Sequence, residues 1–566
     1  MVLPDGNLSS RGGPRRSRAG VLALGATGVL VGGLTLGSLT APDPEAIAPS
    51  TTSATTTTML ERPVDIKDFT VDQIAIGEPF DWKRAASFPA NWAAHALIEH
   101  DGRFYVFAGL RDWWGPTTRG LVAWRSDHGT AWEELGQVID VDHRITRVVS
   151  TDRGLIALES GRPARLWMSA DGVEWEPIDL PNAEDPYMET WPMTVAATDR
   201  ILTVAVDDQI DVRGILEEHL SAITGAPIDL SGLGYGWEPR NDDVHFTVWA
   251  PLGFQVYDIS ATELGLEEEV RASLLESVTG SEEVRVLTDV DGEGWQLGRF
   301  GLQWVEQLIS DHEGRLIAFG YGDIGPRMYR TSDGMTWEET SWVEVNQITR
   351  WGDDLVGLRD YAFPEVVVSR DGESWEETGL SDHFPRSFGW YSQFPTGGPG
   401  GIAVSVEAAH RGEGPGILEA HTVERDGHVF KVDPNSGGIV LEGVDDVQAW
   451  GHLQGSIEFD PVTRAITLQD EATGETLATF TVDELAEIES DLYGQYQSAG
   501  KRHVAFAFTA DGSTWTIQDF GEVVGEEGQL VGLEINETQV VALIADSPIW
   551  GPARPSDFQV WTAPIP

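Results

Sequence analysis

A seven-residue motif that ends in tryptophan recurs along this chain and constrains its fold more than any other feature. It reads Ser-Ala-Asp-Gly-Val-Glu-Trp at 169–175, and close copies occupy 331–337, 369–375 and 509–515. Two degenerate copies lie at 126–132 and 289–295. A short motif repeated between strand-like segments is typical of repeat architectures, in which each repeat forms one supersecondary unit.

The motif has the chemistry of a β-hairpin turn. Its Asp can accept hydrogen bonds from backbone N–H groups, and its Gly tolerates a positive φ. Its Trp begins the returning strand and supplies a large apolar surface that packs between repeats. The sequence therefore predicts a structural role for the Asp and the Trp of every copy: Asp127, Trp132, Asp171, Trp175, Asp291, Trp295, Asp333, Trp337, Asp371, Trp375, Asp511 and Trp515.

The motif resembles the Asp-box, or bacterial neuraminidase repeat, of sialidase-like β-propellers. That resemblance implies antiparallel blades arranged in a ring, with the Asp-box as a structural element. Most copies here are one residue shorter between Asp and Trp than the usual pattern, whereas Asp127-His-Gly129 keeps the longer spacing. The likeness stops at the repeats, because the chain lacks the family's Arg-Ile-Pro signature near the start of the fold. No Tyr–Glu nucleophile pair or arginine triad can be assigned.

Short alternating apolar segments separate the motifs and are broken by Asp/Gly turns, which is the pattern of antiparallel strands. Residues 80–84 look like the last strand of a unit that has no motif before it. Residues 558–562 look like the third strand of a unit that has no strand after it. Joining the two ends completes one unit, so the sequence predicts an all-β, seven-bladed β-propeller over 79–566.

Two of the units are too long for a blade, and the excess predicts insertions at 208–282 in blade three and 409–501 in blade six. The insertions resemble each other. Gly-Ile-Leu-Glu occurs at 214–217 and again at 416–419, and Ser260 and Thr481 each begin a capping-box pattern that predicts a helix. We interpret them as a duplicated α+β module on the ring face opposite the motif turns, where they would flank the channel mouth.

The N-terminal region predicts membrane targeting. Residues 1–18 form a basic cytoplasmic tail with four Arg, and 19–41 form an uncharged apolar segment long enough to cross a bilayer. The basic residues place the tail inside, and a Ser/Thr/Pro-rich stalk at 42–78 would hold the propeller outside the cytoplasm. A retained single-pass anchor is favoured; the alternative is a cleaved signal peptide and a secreted protein.

The net charge of the chain limits the kinds of partner that it can bind. The chain carries 92 acidic and 37 basic residues, for a formal net charge of −55. Such a surface repels nucleic acid and anionic membranes, so contact with the membrane is expected through the N-terminal segment only. The chain has no cysteine, which excludes disulfides, thiolate metal sites and a lipidated cysteine anchor.

Aromatic and histidine side chains are the first candidates for ligand contact on the insert-bearing face. Trp113, Trp114 and Trp550 belong to two Trp-Gly-Pro loops and could stack on a sugar or a peptide. The alternative is that Gly-Pro shapes the turn and Trp packs on the next loop. His219 and His421, one in each insertion, could act as metal ligands or acid–base groups; a structural role is the alternative, because no second His stands at ligand spacing.

Acidic residues at the end of the second strand of each unit are the other candidates. They could cap the following turn, or they could form a ring of negative potential that attracts a basic partner or a cation such as Ca²⁺. No cofactor is required by either interpretation. The aligned positions are Asp112, Glu159, Asp207, Asp323, Asp360, Glu407 and Asp546.

The sequence identifies no catalytic residue and leaves three functions open. The favoured one is a membrane-anchored, exported propeller that acts as a binding or scaffold module for a protein, glycan or cell-envelope partner. A glycan-active hydrolase or lyase of sialidase-like architecture is the second. The third is an assembly or stability factor for a membrane complex.

Overall fold

The computed structural model describes residues 70–565 with several gaps, and the predicted anchor at 19–41 lies outside this part of the chain. Within the described residues no helix is both long and apolar enough to span a bilayer. The gaps are 89–91, 112–117, 182–187, 231–232, 241–242, 254, 280–283, 300, 323–324, 341–344, 346, 360–363, 386–388, 410–421, 426, 433–438, 442–455, 470–473, 499–502, 526–527 and 546–556.

One sheet of the ring has seven strands because a single strand serves two units. Its order is β2 (Ala93–His100), β3 (Arg103–Arg111), β4 (Thr118–Ser126), β5 (Glu133–Thr151), β6 (Gly154–Glu159), β7 (Arg165–Ser169) and β8 (Glu176–Asp179). The first part of β5 pairs with β4, and its last part pairs with β6. No Gly or Pro interrupts 137–151, which explains why the chain continues here where separate strands were predicted.

Five further sheets of the ring have four antiparallel strands each. The first contains β9 (Met188–Ala197), β10 (Ile201–Ile210), β14 (Arg285–Val290) and β15 (Trp295–Arg299), and the second contains β16 (Trp304–Ser310), β17 (Leu316–Gly322), β18 (Gly325–Thr331) and β19 (Glu338–Glu339). The third contains β20 (Gln347–Trp351), β21 (Asp354–Arg359), β22 (Glu365–Ser369) and β23 (Glu376–Glu377), and the fourth contains β24 (Gly389–Gly398), β25 (Gly401–Ala409), β32 (His503–Thr509) and β33 (Thr516–Asp519). The fifth contains β34 (Gln529–Ile535), β35 (Gln539–Ala545), β36 (Phe558–Pro564) and β1 (Lys83–Phe88).

The sheets close into a ring through their first strands. β2 contacts β5, and the contacts continue through β9, β16, β20, β24 and β34 back to β2. The circuit is sealed where the N-terminal β1 pairs antiparallel with the C-terminal β36, from Lys83 opposite Thr562 to Phe88 opposite Phe558. The all-β propeller predicted from the sequence is therefore confirmed by the strand pairing.

Aromatic packing holds the two ends of the chain together. The Phe88 ring stacks on Phe558 at a centroid distance of 4.9 Å and lies 4.7 Å from Trp124 of the next sheet. On the other side, Trp82 meets Phe506 edge to face at 5.1 Å. These residues are drawn from three sheets, so the closure is part of the hydrophobic core.

Side chains join neighbouring blades where backbone pairing is absent. Gln307 on β16 donates to the Ile348 carbonyl at 2.5 Å and accepts from the Ile348 N–H at 2.9 Å. The Leu308 N–H donates to the Thr194 hydroxyl at 3.1 Å, which joins β16 to β9. These bonds fix the inner strands and satisfy their free backbone groups.

The chain reaches the ring before residue 79, where the predicted stalk ends. Val71–Gln73 form a short 3-10 turn, and Val71 and Ile74 are buried. The Ile76 N–H donates to the Ile517 carbonyl at 2.9 Å, and the reciprocal bond has the same length. This segment covers the outer edge of β33, which would otherwise be an unpaired strand edge.

The two insertions contain helices and small sheets. Between β10 and β14 lie α1 (Val212–Thr224), α2 (Glu268–Thr279) and a three-stranded sheet of β11 (Gly234–Arg240), β12 (Asp243–Trp249) and β13 (Gln255–Ser260). Between β25 and β32 lie α3 (Val482–Ser498) and two three-stranded sheets: β26 (Thr422–Arg425), β27 (His428–Val432) and β28 (Ile439–Leu441), then β29 (Ser456–Asp460), β30 (Ala465–Gln469) and β31 (Thr476–Thr481). A last short helix, α4 (Gly521–Val524), follows β33.

Both predicted capping boxes form, but only one opens a helix directly. The Thr481 hydroxyl accepts from the Glu484 N–H at 3.2 Å while the Glu484 carboxylate accepts from the Thr481 N–H, and α3 starts at the next residue. Ser260 and Glu263 make the same reciprocal bonds. There Gly265, at φ +78°, ends the turn, and α2 begins only at Glu268, so the prediction that this box opens the helix was wrong.

The insertions share one hydrophobic core, which the sequence did not predict. Phe246 of the first insertion and Phe430 of the second are fully buried in the same apolar cluster. The Tyr257 ring packs edge to face on Phe459 at 5.5 Å, and Arg464 forms an ion pair with Asp229 at 3.0 Å. The two insertions therefore form one unit joined to two separated blades, instead of two modules flanking the mouth. We call this unit the insert module.

Candidate functional site

Four copies of the motif fold into the same turn, at 169–175, 331–337, 369–375 and 509–515. In the first, one Asp171 oxygen accepts from the Val173 N–H at 2.9 Å and from the Glu174 N–H at 3.2 Å. In the last, Asp511 makes the same bonds to Ser513 and Thr514 at 2.8 and 2.7 Å. The carboxylate is used to close its own turn, as expected of a structural residue.

The tryptophan of the turn is fixed in a similar way. The Trp175 indole N–H donates to the Gly172 carbonyl at 3.1 Å, and Trp375 donates to Gly372 at 3.3 Å. In the last copy the indole of Trp515 instead donates to the Thr378 carbonyl of the preceding blade at 3.4 Å. The turn and the blade behind it are thus locked together.

Backbone N–H groups keep these carboxylates ionised. They lower the pKa of Asp371 and Asp511, and they lower the pKa of Asp333 to about 2. The N–H of Val173 has the same effect on the pKa of Asp171. A hydrogen bond to the charged form stabilises it relative to the acid. These groups are poor proton donors at neutral pH.

The two degenerate copies differ from the other four. Asp127 forms an ion pair with Arg103 at 3.1 Å, while Trp132 keeps the bond to the Gly129 carbonyl at 3.1 Å. In the other copy Asp289, and not Asp291, accepts a turn N–H, from Gly294 at 2.9 Å. Asp291 has φ +56° and pairs with Arg200 at 2.6 Å.

Most of the candidate ligand contacts lie outside the described residues. His219 is described: its Nδ1 lies 2.8 Å from the Ile215 carbonyl oxygen, one turn earlier in α1. This contact uses one ring nitrogen within the helix. Among the described residues, no group of three or more His, Asp or Glu is placed to hold a metal ion. The candidates outside the described part are Asp112, Trp113, Trp114, Asp323, Asp360, His421, Asp546 and Trp550.

Three of the aligned acids at strand ends are described. Glu159 is fully buried and accepts the Trp167 indole N–H at 2.6 Å. Asp207 accepts from the Gln209 side chain at 3.0 Å, and burial raises its pKa. Glu407 is partly buried on β25. Glu159 and Asp207 bind side chains of their own blades, so for these two the contacts differ from a simple turn cap.

Tryptophan side chains on the inner strands of the ring contact charged groups. The Arg144 guanidinium lies 5.6 Å from the centre of the Trp191 ring, and the Trp191 indole donates to Glu189. The Trp304 indole donates to Glu306 at 2.8 Å. Paired in this way, the indoles are oriented by carboxylates that lie two residues away along the same strand.

Two arginines reach across the ring interior. Arg147 on β5 donates to the Glu306 carbonyl on β16 at 3.4 Å, and burial lowers its pKa. Arg350 on β20 forms an ion pair with Asp152, in the turn after β5, at 3.0 Å. Because these contacts join strands that are not neighbours in the ring, they cross part of the ring interior.

A carboxyl pair lies on adjacent inner strands. Glu534 on β34 accepts from the Thr396 hydroxyl on β24 at 3.1 Å. Glu99 on β2 accepts the Gly102 N–H at 2.6 Å. The pKa of Glu534 is raised to about 8: burial is the main cause, the Thr396 hydroxyl lowers the pKa, and the Glu99 charge makes a smaller contribution that raises it. Burial also raises the pKa of Glu99. The pair can therefore hold a proton at neutral pH.

Sequence reasoning missed this pair and the channel arginines. The two members of each contact are far apart in the sequence and stand in ordinary alternating patterns, and only the ring brings them together. A charged residue on the interior side of an otherwise apolar strand is the one signal that could have identified them.

The ring and its inter-blade bonds define the chain as a β-propeller. No family model matches it, and no curated protein matches it. Solved structures with similarity include a virginiamycin B lyase from Staphylococcus aureus, with a TM-score of 0.30 and 10% identity, covering 69% of this chain and 97% of the other. Trypanosoma rangeli sialidase in complex with sialic acid has a TM-score of 0.26 and 11% identity, covering 86% and 58%. The propeller assignment depends on the strand pairing described above and not on these similarities.

Proposed function

We propose that this chain is an exported, membrane-anchored, seven-bladed β-propeller that acts as a binding or scaffold module for a protein, glycan or cell-envelope partner. The strand order supports a count of seven: β5 would serve two blades, and β1 would complete the blade of β34, β35 and β36. The N-terminal segment at 19–41 would hold the ring at the membrane.

The insert module is the observation that carries the proposal. It joins blades three and six through one buried core, and we expect it to offer one continuous surface on the ring face opposite the motif turns. In the ring interior, the described arginines are bound to groups of the ring itself. A preorganised surface over a crossed channel suits recognition better than turnover of a substrate inside the ring. The net charge of −55 favours a basic or cation-bridged partner.

A matched set of surface variants tests binding. Ile223 and Val462 are exposed apolar residues of the insert module, and Leu297 is an exposed apolar residue of a ring blade. Full-length protein in detergent would be screened on a glycan array and by cross-linking to envelope extract. Ile223→Ser with Val462→Ser should remove the captured ligand, whereas Leu297→Ser should retain it. Equal binding by both variants would contradict the proposal.

Anchoring has its own test. A retained segment at 19–41 keeps the full-size protein in the membrane pellet after carbonate washing. Release of a shortened form into the medium would show that the segment is cleaved, and the protein would then be secreted. In that case the segment at 19–41 would be a signal peptide and not an anchor, and the proposal for the ring would be unchanged.

The carboxyl pair favours a second candidate, a glycan-active hydrolase. Glycoside hydrolysis uses one protonated and one ionised carboxyl group. The raised pKa of Glu534, about 8, suits the role of proton donor, and Glu99 on the adjacent strand would be the second carboxyl. Incubating a panel of glycans with the wild-type protein and with Glu534→Gln, and measuring their hydrolysis, tests this second candidate. Hydrolysis by the wild type that the variant lacks would favour the enzyme over the binding module.

A further inference from the structure

The two halves of the insert module meet at a buried carboxyl group. Glu489 on α3, in the second insertion, is only 6% exposed, and α3 packs against the turn Pro251–Gly253 of the first insertion. The N–H of Leu252 in that turn donates to Glu489. On the same helix, Leu485, Ile488 and Leu492 are buried in the common core. A single carboxyl therefore sits where one insertion touches the other.

The partner turn is held in an unfavourable conformation. Leu252 has φ +66° and is 2% exposed. Residues with a side chain rarely adopt this region, and such a residue persists only when its surroundings hold it there. The packing of α3 and the bond to Glu489 supply that restraint. Loss of the contact would release the turn.

Among the charged groups that the structure describes on the elements packed against α3, none is paired with the Glu489 carboxylate. On β26, Arg425 binds Glu487 at 2.9 Å and lies 3.9 Å from Asp491. β27 contributes His428, which packs on the Phe480 ring, and Lys431. The turn Pro251–Gly253 and β31 carry no charged side chain. None of these charges alters the pKa of Glu489, which burial raises to about 7 against the opposing effect of the Leu252 N–H.

We propose that Glu489 makes the junction between the two insertions a pH-dependent latch, closed when the carboxyl is protonated and loosened when it is ionised. The latch adds a regulatory device to the binding surface, because loosening separates the two halves that form it. The polar partner of the closed state is the Leu252 backbone, and the apolar surroundings favour the neutral acid.

The size of the effect follows from proton linkage. A Glu exposed by opening returns from a pKa of about 7 to its ordinary 4.5. Closure binds a proton in this window, so closure is strongest below 4.5 and weakens as pH rises through about 7. Between about pH 5.5 and about pH 8.5 the opening equilibrium should rise roughly thirtyfold.

Hydrogen exchange on the full chain tests the latch directly. After correction for intrinsic exchange, amides of α3 and of the Leu252 turn should exchange roughly thirtyfold faster at about pH 8.5 than at about pH 5.5, if the closed state exchanges only by opening. Glu489→Gln should abolish this dependence. Glu487→Gln, on the exposed side of the same helix, should behave like the wild type.

Two outcomes would overturn the proposal. One is equal corrected exchange in the wild type at both pH values, which needs no variant and is decisive even if Glu489→Gln does not fold. The other is a folded Glu489→Gln protein that keeps the wild-type pH dependence.

Discussion

Replacing Glu534 with Gln should make the ring more stable at high pH. The change keeps an oxygen that can accept from the Thr396 hydroxyl, which lies 3.1 Å from the carboxylate, and it removes the charge. The folded-state pKa of about 8 stands above the ordinary value of 4.5. The folded ring therefore holds a proton that the unfolded chain releases, and this stabilisation is complete below 4.5 and lost as pH rises through about 8.

The magnitude can be estimated from this shift. At 1.36 kcal/mol per pKa unit, the penalty for ionised Glu534 reaches about 5 kcal/mol as an upper bound. A ring of this size has an unfolding entropy on the order of 0.7 kcal/mol per kelvin, so at this upper bound the wild type should lose roughly 7 °C in Tm that the variant retains. The comparison is made between about pH 5 and about pH 9 by calorimetry.

Two further variants make the test specific. Glu537→Gln changes an exposed acid in the next turn and should leave the pH profile of the wild type unchanged. Glu99→Gln removes the neighbouring charge that raises the pKa of Glu534, so the loss of stability should begin at a lower pH. Parallel Tm profiles for the wild type and Glu534→Gln would refute the assignment of a proton to this group.

Other substitutions test the turns, the blade contacts and the insert module. Asp371→Ala removes the acceptor for the Glu373 and Ser374 N–H groups and should cost about 1 kcal/mol in chemical unfolding; an unchanged midpoint would contradict a closing role. The pKa of Asp333 is lowered from 3.8 to about 2, so ionised Asp333 stabilises the folded protein above pH 3.8, and this stabilisation is lost as pH falls through about 2. The stability that Asp333→Ala loses relative to the wild type should therefore become smaller in acid. Gln307→Ala leaves the Ile348 N–H without its bond and should cost about 2 kcal/mol, against little change for an exposed Gln. Deleting one insertion should expose the core of the other and broaden the thermal unfolding transition, whereas replacing both insertions with short Gly linkers should leave a ring that unfolds cooperatively. A sharp transition after a single deletion would argue against a shared core.

The repetitive part of the fold could be predicted because it is local. An Asp-Gly turn, a Trp and an alternating strand follow each other within a few residues, so Asp171 to Trp175 predicts its own hairpin. The orphan strands predicted at 80–84 and 558–562 also indicated their partnership, since each lacked a neighbour in its own unit, although the strand that pairs with β36 is Lys83–Phe88, a few residues later than predicted.

The parts that sequence reasoning missed depend on contacts across the ring. Phe246 and Phe430 look like the cores of two separate modules, and only their arrangement on one ring face joins them. Arg147 and Glu306 are distant in sequence, and so are Glu99 and Glu534. The length of β5 was missed because a turn was expected between successive blades, whereas the residues at 137–151 contain no Gly or Pro and continue as one strand.

Closure of the ring by the two ends of the chain is the central claim, and a disulfide measures it directly. Ser87 on β1 faces Gln559 on β36, and the chain has no cysteine that could interfere. The full-length Ser87→Cys, Gln559→Cys protein should form an intramolecular disulfide on mild oxidation. It should then migrate faster than its reduced form on a denaturing gel and unfold at a higher temperature. Free thiols after oxidation of the folded protein, or cross-links only between molecules, would contradict the closed ring.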